Sequence, residues 1–154
     1  MGTVHKLSLD FYEEAWEPFG LLALHCSLED HSLAYRLNEH ADIRLMRTEV
    51  DLDMGTACFS CFEYEDQALG RTITLITNKC RKEEKVVGAG LFSEGIRNVT
   101  YNLVPEHPRA DYLIKMQQEP DESGFLEKIR EIPQVVTAYA IDPEGLKSKN
   151  NLIF

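Results

Sequence analysis

Basic residues are scarce in this chain. Lys and Arg number 16 against 26 Asp and Glu, so the formal net charge is −10 over 154 residues. Proteins that hold nucleic acid gain affinity by neutralising phosphates with Lys and Arg. No run of more than two consecutive basic residues occurs here. Direct contact with nucleic acid is therefore not expected, and an anionic membrane surface would repel the chain for the same reason. Long apolar runs are missing too. Nothing approaches the roughly 18 consecutive apolar residues that read as a membrane-spanning helix. The opening residues Met1 to Lys6 contain no apolar segment with a small-residue cleavage site, so no secretory leader is expected. Lys6 stands where a myristoylation signal needs Ser or Thr. These absences predict a cytoplasmic protein.

Cysteine is sparse: Cys26, Cys58, Cys61 and Cys80. In a reducing compartment they are expected to remain free thiols. Repeats and low-complexity tracts are also missing, and Pro and Gly are scattered rather than pooled into a linker. The expectation is one domain over residues 1–154, with 145–154 as a C-terminal tail. Hydrophobic residues make up 44% of the chain. A domain of this size buries roughly 68–70% of its unfolded surface, so its core needs no disulfide or metal staple.

The patterns that are present alternate between strand and helix periods. Leu7 to Phe11 alternates and predicts a short strand, followed by an acidic stretch, Glu13 to Glu17. Gly20 to Cys26 is a continuous apolar run, which predicts a strand buried on both faces. Ser27-Leu28-Glu29-Asp30 matches a helix N-cap pattern, and Leu33, Ala34, Leu37 and Ala41 then form one apolar stripe. Ile43 to Arg47 predicts the next strand. Ala57–Tyr64 and Arg71–Thr77, joined by the turn at Asp66 to Gly70, predict a hairpin. Residues 80–97 carry charges and then Gly88, Gly90 and Gly95, and are expected to be a loop or flap. Val99, Tyr101 and Leu103 alternate, as do Tyr112, Ile114 and Met116, which predicts a second hairpin.

Asp121 or Ser123 is expected to cap a helix whose buried stripe is Phe125, Leu126, Ile129 and Ile132. Pro133 stops that helix. Val135 to Ile141 predicts a final strand, with Val135, Thr137, Tyr139 and Ile141 on one face. Small Val136, Ala138 and Ala140 occupy the other, where a helix can lie close. Two strand–helix–strand units separated by hairpins predict an α+β fold. It would have two layers: a mostly antiparallel sheet with two helices on one face.

Val104-Pro105-Glu106-His107-Pro108-Arg109-Ala110-Asp111-Tyr112 resembles the signature of the bacterial family named for its IPExxxVDY motif, with Val104 for Ile and Ala110 for Val. Further likeness lies in Ser27–Asp30 with Leu33–Asn38, Phe62–Asp66, Asn78–Cys80, Ile132–Gln134 and Leu146–Phe154. The resemblance implies no activity, cofactor or catalytic residue. Residues 111–142 also resemble the last unit of ACT-type regulatory domains. Those are ferredoxin-like folds that bind small metabolites and often dimerise. The glycine usual after Pro133 is Gln134 here. This likeness implies a ferredoxin-like or ACT-like frame with an inserted hairpin.

Few side chains carry recognisable chemistry. Cys58-Phe59-Ser60-Cys61 has zinc-site spacing, but residues three apart on a strand point to opposite faces. Structural thiols are expected, with zinc or redox roles as alternatives. His25 precedes a helix N-terminus, a place suited either to anion chemistry or to a partly buried histidine with a backbone partner. Gly88–Gly95 lacks the Gly-Lys-Ser/Thr of a phosphate loop, and Ser93 stands where a dinucleotide fingerprint needs Gly. No cofactor or metal is expected. In the signature, Glu106, Arg109, Asp111 and Tyr112 lie around a tight link. There Arg109 would pair with Glu106 or Asp111, as architecture or as a recognition loop. The tail ends on Leu152-Ile153-Phe154, and three apolar residues need somewhere to dock: the chain's own sheet, a dimer mate or a separate partner. Removing residues 146–154 is expected to weaken association without unfolding the domain. The functional expectation is a non-enzymatic protein-interaction or adaptor module, working on a protein partner or itself as a homodimer, with Leu152 and Phe154 among its contacts. The alternative is a small-metabolite-binding regulatory domain of ACT type.

Overall fold

A computed structural model describes residues 17–87, 94–119 and 121–154. The expected strand at Leu7–Phe11, nearly all of the acidic stretch and most of Gly88–Gly95 lie outside the described residues. The elements run β1 Phe19–Cys26, α1 Asp30–Ala41, β2 Met46–Arg47, β3 Leu52–Asp53, β4 Cys58–Phe59, β5 Cys61–Asp66 and β6 Arg71–Thr77. They continue with β7 Lys79–Val87, β8 Glu94–Asn102, β9 Tyr112–Gln117, α2 Glu122–Arg130 and β10 Val135–Ile141. Two short 3-10 turns follow, Pro143–Gly145 and Lys149–Leu152.

Six strands form one sheet in the order β10-β1-β9-β6-β5-β2, antiparallel at every neighbour. Leu22, Leu24, Ile73, Leu75, Ile114 and Met116 on one face meet Leu33, Leu37, Phe125 and Ile129 of the two helices. The α+β fold read from the sequence is therefore present, with both helices on one side. The other face is also covered. Leu21, Ala23, Ile76, Leu113 and Ile141 pack under Ala57 and Phe59 near the β3–β4 hairpin, Leu103, Val104 and Ala110 before β9, and Leu152 of the tail. Covering on both sides explains why β1 reads as a nearly unbroken apolar run. Each fully buried Leu or Ile contributes about 1.5–3 kcal/mol. No helix of the described residues is long and apolar enough to cross a membrane.

Several elements differ from the sequence reading. The helix after β1 starts at Asp30 with Glu29 at its N-cap and no side-chain cap, so Ser27 does not close it. Only Met46–Arg47 of the expected second strand pairs, while Ile43 and Leu45 turn into the helix-side core. The expected loop at 80–97 is largely a two-stranded ribbon, β7–β8, running from Lys79↔Asn102 to Val87↔Glu94. A ribbon with most of both faces in water has no reason to alternate apolar and polar residues, so its charges masked it. The second hairpin does not form. β8 pairs with β7, and β9 lies between β1 and β6. Tyr112 to Met116 are buried without a break, so the strand belongs in the sheet's centre and not on a local hairpin. At β10 a register shift opposite His25/Cys26 puts Val135 with Ala138 on the helix side, three residues apart, while Tyr139 and Ile141 take the other face. Asp121 does cap α2, its side chain accepting from the Gly124 N–H.

Candidate functional site

Asn78 organises the loop that carries the signature. It is fully buried between β6 and β7. Its side-chain amide donates to the carbonyls of His107 and Ala110, both at 2.9 Å, and its Oδ1 accepts from Val104 N–H at 2.8 Å. Its backbone bonds to Asp111 O and Leu103 N. An Asn offers two donor protons and an acceptor, and all three are used, as burial requires.

The loop thus wound places the expected contact residues in different roles. Asp111 Oδ2 accepts from Cys26 N–H at 3.0 Å and its Oδ1 pairs with Lys79 Nζ at 3.0 Å. Glu106 accepts from the backbone N–H of Ser148 in the tail at 3.1 Å. Partial desolvation works against ionising Glu106. The hydrogen bonds from Ser148 and nearby backbone outweigh it and hold the carboxyl below its ordinary range. Arg109 is exposed and makes no ion pair among the described residues, so neither expected pairing forms. Tyr112 is buried, its hydroxyl donating to Leu28 O at 2.5 Å, and burial pushes its phenol up. Leu152 is fully buried in the second core, and Asn151 donates to Leu103 O at 2.9 Å. The tail therefore docks on its own sheet. Leu152 alone contributes about 1.5–3 kcal/mol, which ties residues 146–154 to fold stability rather than leaving them dispensable.

Three polar rings meet on that same face. His25 Nε2 lies 3.3 Å from Tyr139 Oη, which lies 3.4 Å from His107 Nδ1. His25 was singled out by its position; Tyr139 and His107 were not, since 114 and 32 residues of separation hide the cluster. The four cysteines are free. Cys58 is exposed beside Asp53, whereas Cys61 is buried in the core with its thiol on Phe59 O. Burial raises the thiols of Cys26 and Cys61, which favours the unreactive form. No cluster of metal-ligating side chains occurs among the described residues.

Lys115 is the least expected residue of the sheet. It sits in β9 on the face opposite the helices and is 3% exposed. Its Nζ lies 5.0 Å from the Phe19 ring centre and 4.3 Å from that of Phe154, and 3.5 Å from Phe154 O. Burial pushes its ammonium down, and the charge of Glu63 opposes this only in part. A lysine among buried apolar neighbours in a central strand is a signal that sequence reading can detect. It was missed because Tyr112, Ile114 and Met116 account for the alternation.

The β7–β8 ribbon is the remaining exposed feature. Val87 is 91% and Ile96 73% exposed at its outer part. Its inner end packs through Cys80 and Tyr101, and Tyr101 donates to Glu84. Compared with known proteins, the chain matches no family model, no curated protein and no solved structure.

Proposed function

We propose that this chain is a non-enzymatic interaction module and that the β7–β8 ribbon is its contact element. The observation that carries this reading is the exposure of Val87 and Ile96 on a ribbon whose outer edges pair with no other strand among the described residues. Apolar side chains beside free backbone donors and acceptors are what a partner strand needs in order to add on. The signature loop and tail support this role from beneath, because Asn78, Asp111 and Leu152 anchor the ribbon's inner end and its neighbours. The exposed residues Glu106, Arg109 and Phe154 stand as secondary contacts. The Val104–Tyr112 motif supports placing the chain with the IPExxxVDY family.

Light scattering and affinity recovery test this on the whole chain and on a Val87→Asp, Ile96→Asp variant. A dimer mass lost in the variant identifies self-association; a co-purifying protein lost in the variant identifies a separate partner. A variant that keeps both its mass and every co-purifying protein overturns the reading.

The order β10-β1-β9-β6, with α1 after β1 and α2 joining β9 to β10, supports a ferredoxin-like frame. In that frame β2–β5 and the ribbon are insertions. The same order favours a second reading, a regulatory domain of ACT type. That reading requires a small metabolite to stabilise the chain whether or not the ribbon is altered.

A further inference from the structure

At the inner end of the ribbon, three segments close around a cavity of about 200 Å³: the β3–β4 hairpin, the end of β8 and the tail. Its walls include Met54, Thr56, Phe59, Tyr101, Asn102 and Asn151, and none of the described residues lining it is charged. Lys82 comes near, but its Nζ is spent on Thr56 O at 2.5 Å. Asn102 Oδ1 is buried and has no hydrogen-bond partner. An unpaired buried acceptor is costly, and native proteins keep few of them. No side-chain hydrogen bond fixes the Asn102 amide among the described residues. Asn151 spends one amide hydrogen on Leu103 O at 2.9 Å. Two primary amides with unspent capacity therefore meet in one uncharged cavity.

We propose that this cavity binds a small neutral molecule carrying a planar amide, an N–H beside a C=O. The Asn102 amide turns into the cavity, where its Oδ1 accepts the ligand's N–H and its Nδ2 donates to the ligand's carbonyl. One amide matches another in this way because each holds a donor and an acceptor in one plane. The same two-bond pairing lets an Asn read the edge of an adenine. Binding exchanges an unpaired buried acceptor for a paired one, so the orphaned atom of the free protein favours the complex. The walls also select charge. A carboxylate or an ammonium would leave water for a lining that offers no counter-charge. Phe59 and Met54 give apolar surface to the body of the ligand. The cavity lies below the roughly 300–1,000 Å³ of ordinary ligand pockets, which selects a molecule of few atoms.

The test follows the whole nitrogen-labelled chain by NMR. Benzamide is titrated through the millimolar range beside benzoate, which has the same shape but carries a charge and no N–H. Saturable shifts of the Asn102 and Asn151 side-chain amide signals are expected with benzamide, and binding at least about tenfold weaker with benzoate. Asn102→Leu keeps the bulk of the side chain and should weaken benzamide at least about tenfold. Asn98→Leu, at an exposed position further out on β8, should leave the affinity unchanged. Equal binding of benzamide and benzoate, or an affinity kept in Asn102→Leu, overturns the proposal. A cavity that admits only water gives no shift at these two signals and overturns it as well. The comparison of the two probes on the unaltered chain decides even where a variant fails to fold. The ribbon's role in protein contact rests on its outer end and is unaffected by either result.

Discussion

Replacing Asn78 by Asp keeps an acceptor for the Val104 amide but removes both donors. The carbonyls of His107 and Ala110 lose their partners, and a carboxylate enters a fully buried site. A loss of about 3 kcal/mol is expected in urea denaturation, with Asn78→Ala similar, since neither restores the donors. Arg109→Ala, at an exposed and unpaired side chain, should stay within about 0.5 kcal/mol. A near-neutral Asn78→Asp would refute the hub. At this scale the sequence named the loop correctly but not its organiser. Asp111 and Tyr112 lie in the signature, whereas the Asn that holds the loop is 33 residues away from Asp111, and its place in the resembling segment Asn78–Cys80 says nothing of what it binds. Chemistry-bearing pairs such as His25 and Tyr139 are equally silent in sequence, because only strand pairing between β1 and β10 brings them together.

Among the described residues, β10 is the edge of the sheet and pairs with β1 alone. Arg130 of α2 reaches over it, its Nε and Nη2 donating to Ala138 O at 3.2 and 3.0 Å. That contact occupies an edge carbonyl that another strand would use. Arg130→Ala should therefore cost only about 1–2 kcal/mol in thermal unfolding while promoting self-association with concentration, read by light scattering. An unchanged mass at every concentration would show that Arg130 does not guard the edge. Helix stripes and the apolar run of β1 were legible because burial imposes a period on them. The ribbon was not legible, since strands in water impose none. β9 was recognised as a strand but assigned the wrong neighbours, because alternation describes a strand's faces and says nothing about its partners.

For the molecule as a whole, acid is the informative perturbation. Partial burial works against ionising Asp30, but hydrogen bonds from Ser60 and His31 and the charge of Arg47 outweigh it. Its carboxyl, like that of Glu106, is held below the ordinary value. The unfolded chain takes up these protons at a higher pH than the folded one. The stabilisation is therefore complete above the usual carboxylate range and is lost as pH falls through the folded values. Thermal midpoints should be level from about pH 7 to pH 5 and decline toward pH 3. Asp30→Asn with Glu106→Gln should flatten part of that decline. An unaltered slope in the double variant would count against both contacts. The two bonds join distant parts, α1 to Ser60 before β5 and the signature loop to the tail, so this loss reports on the assembled molecule.

By itself the sequence determined the fold class, the two amphipathic helices and the apolar strands, because solvent sorts side chains with the local periods of helix and strand. The tertiary structure alone decided the strand order, the covering of the second face by the tail, the buried amide hub and the burial of Lys115. Each of those depends on which distant segments share a surface, and no local period records that.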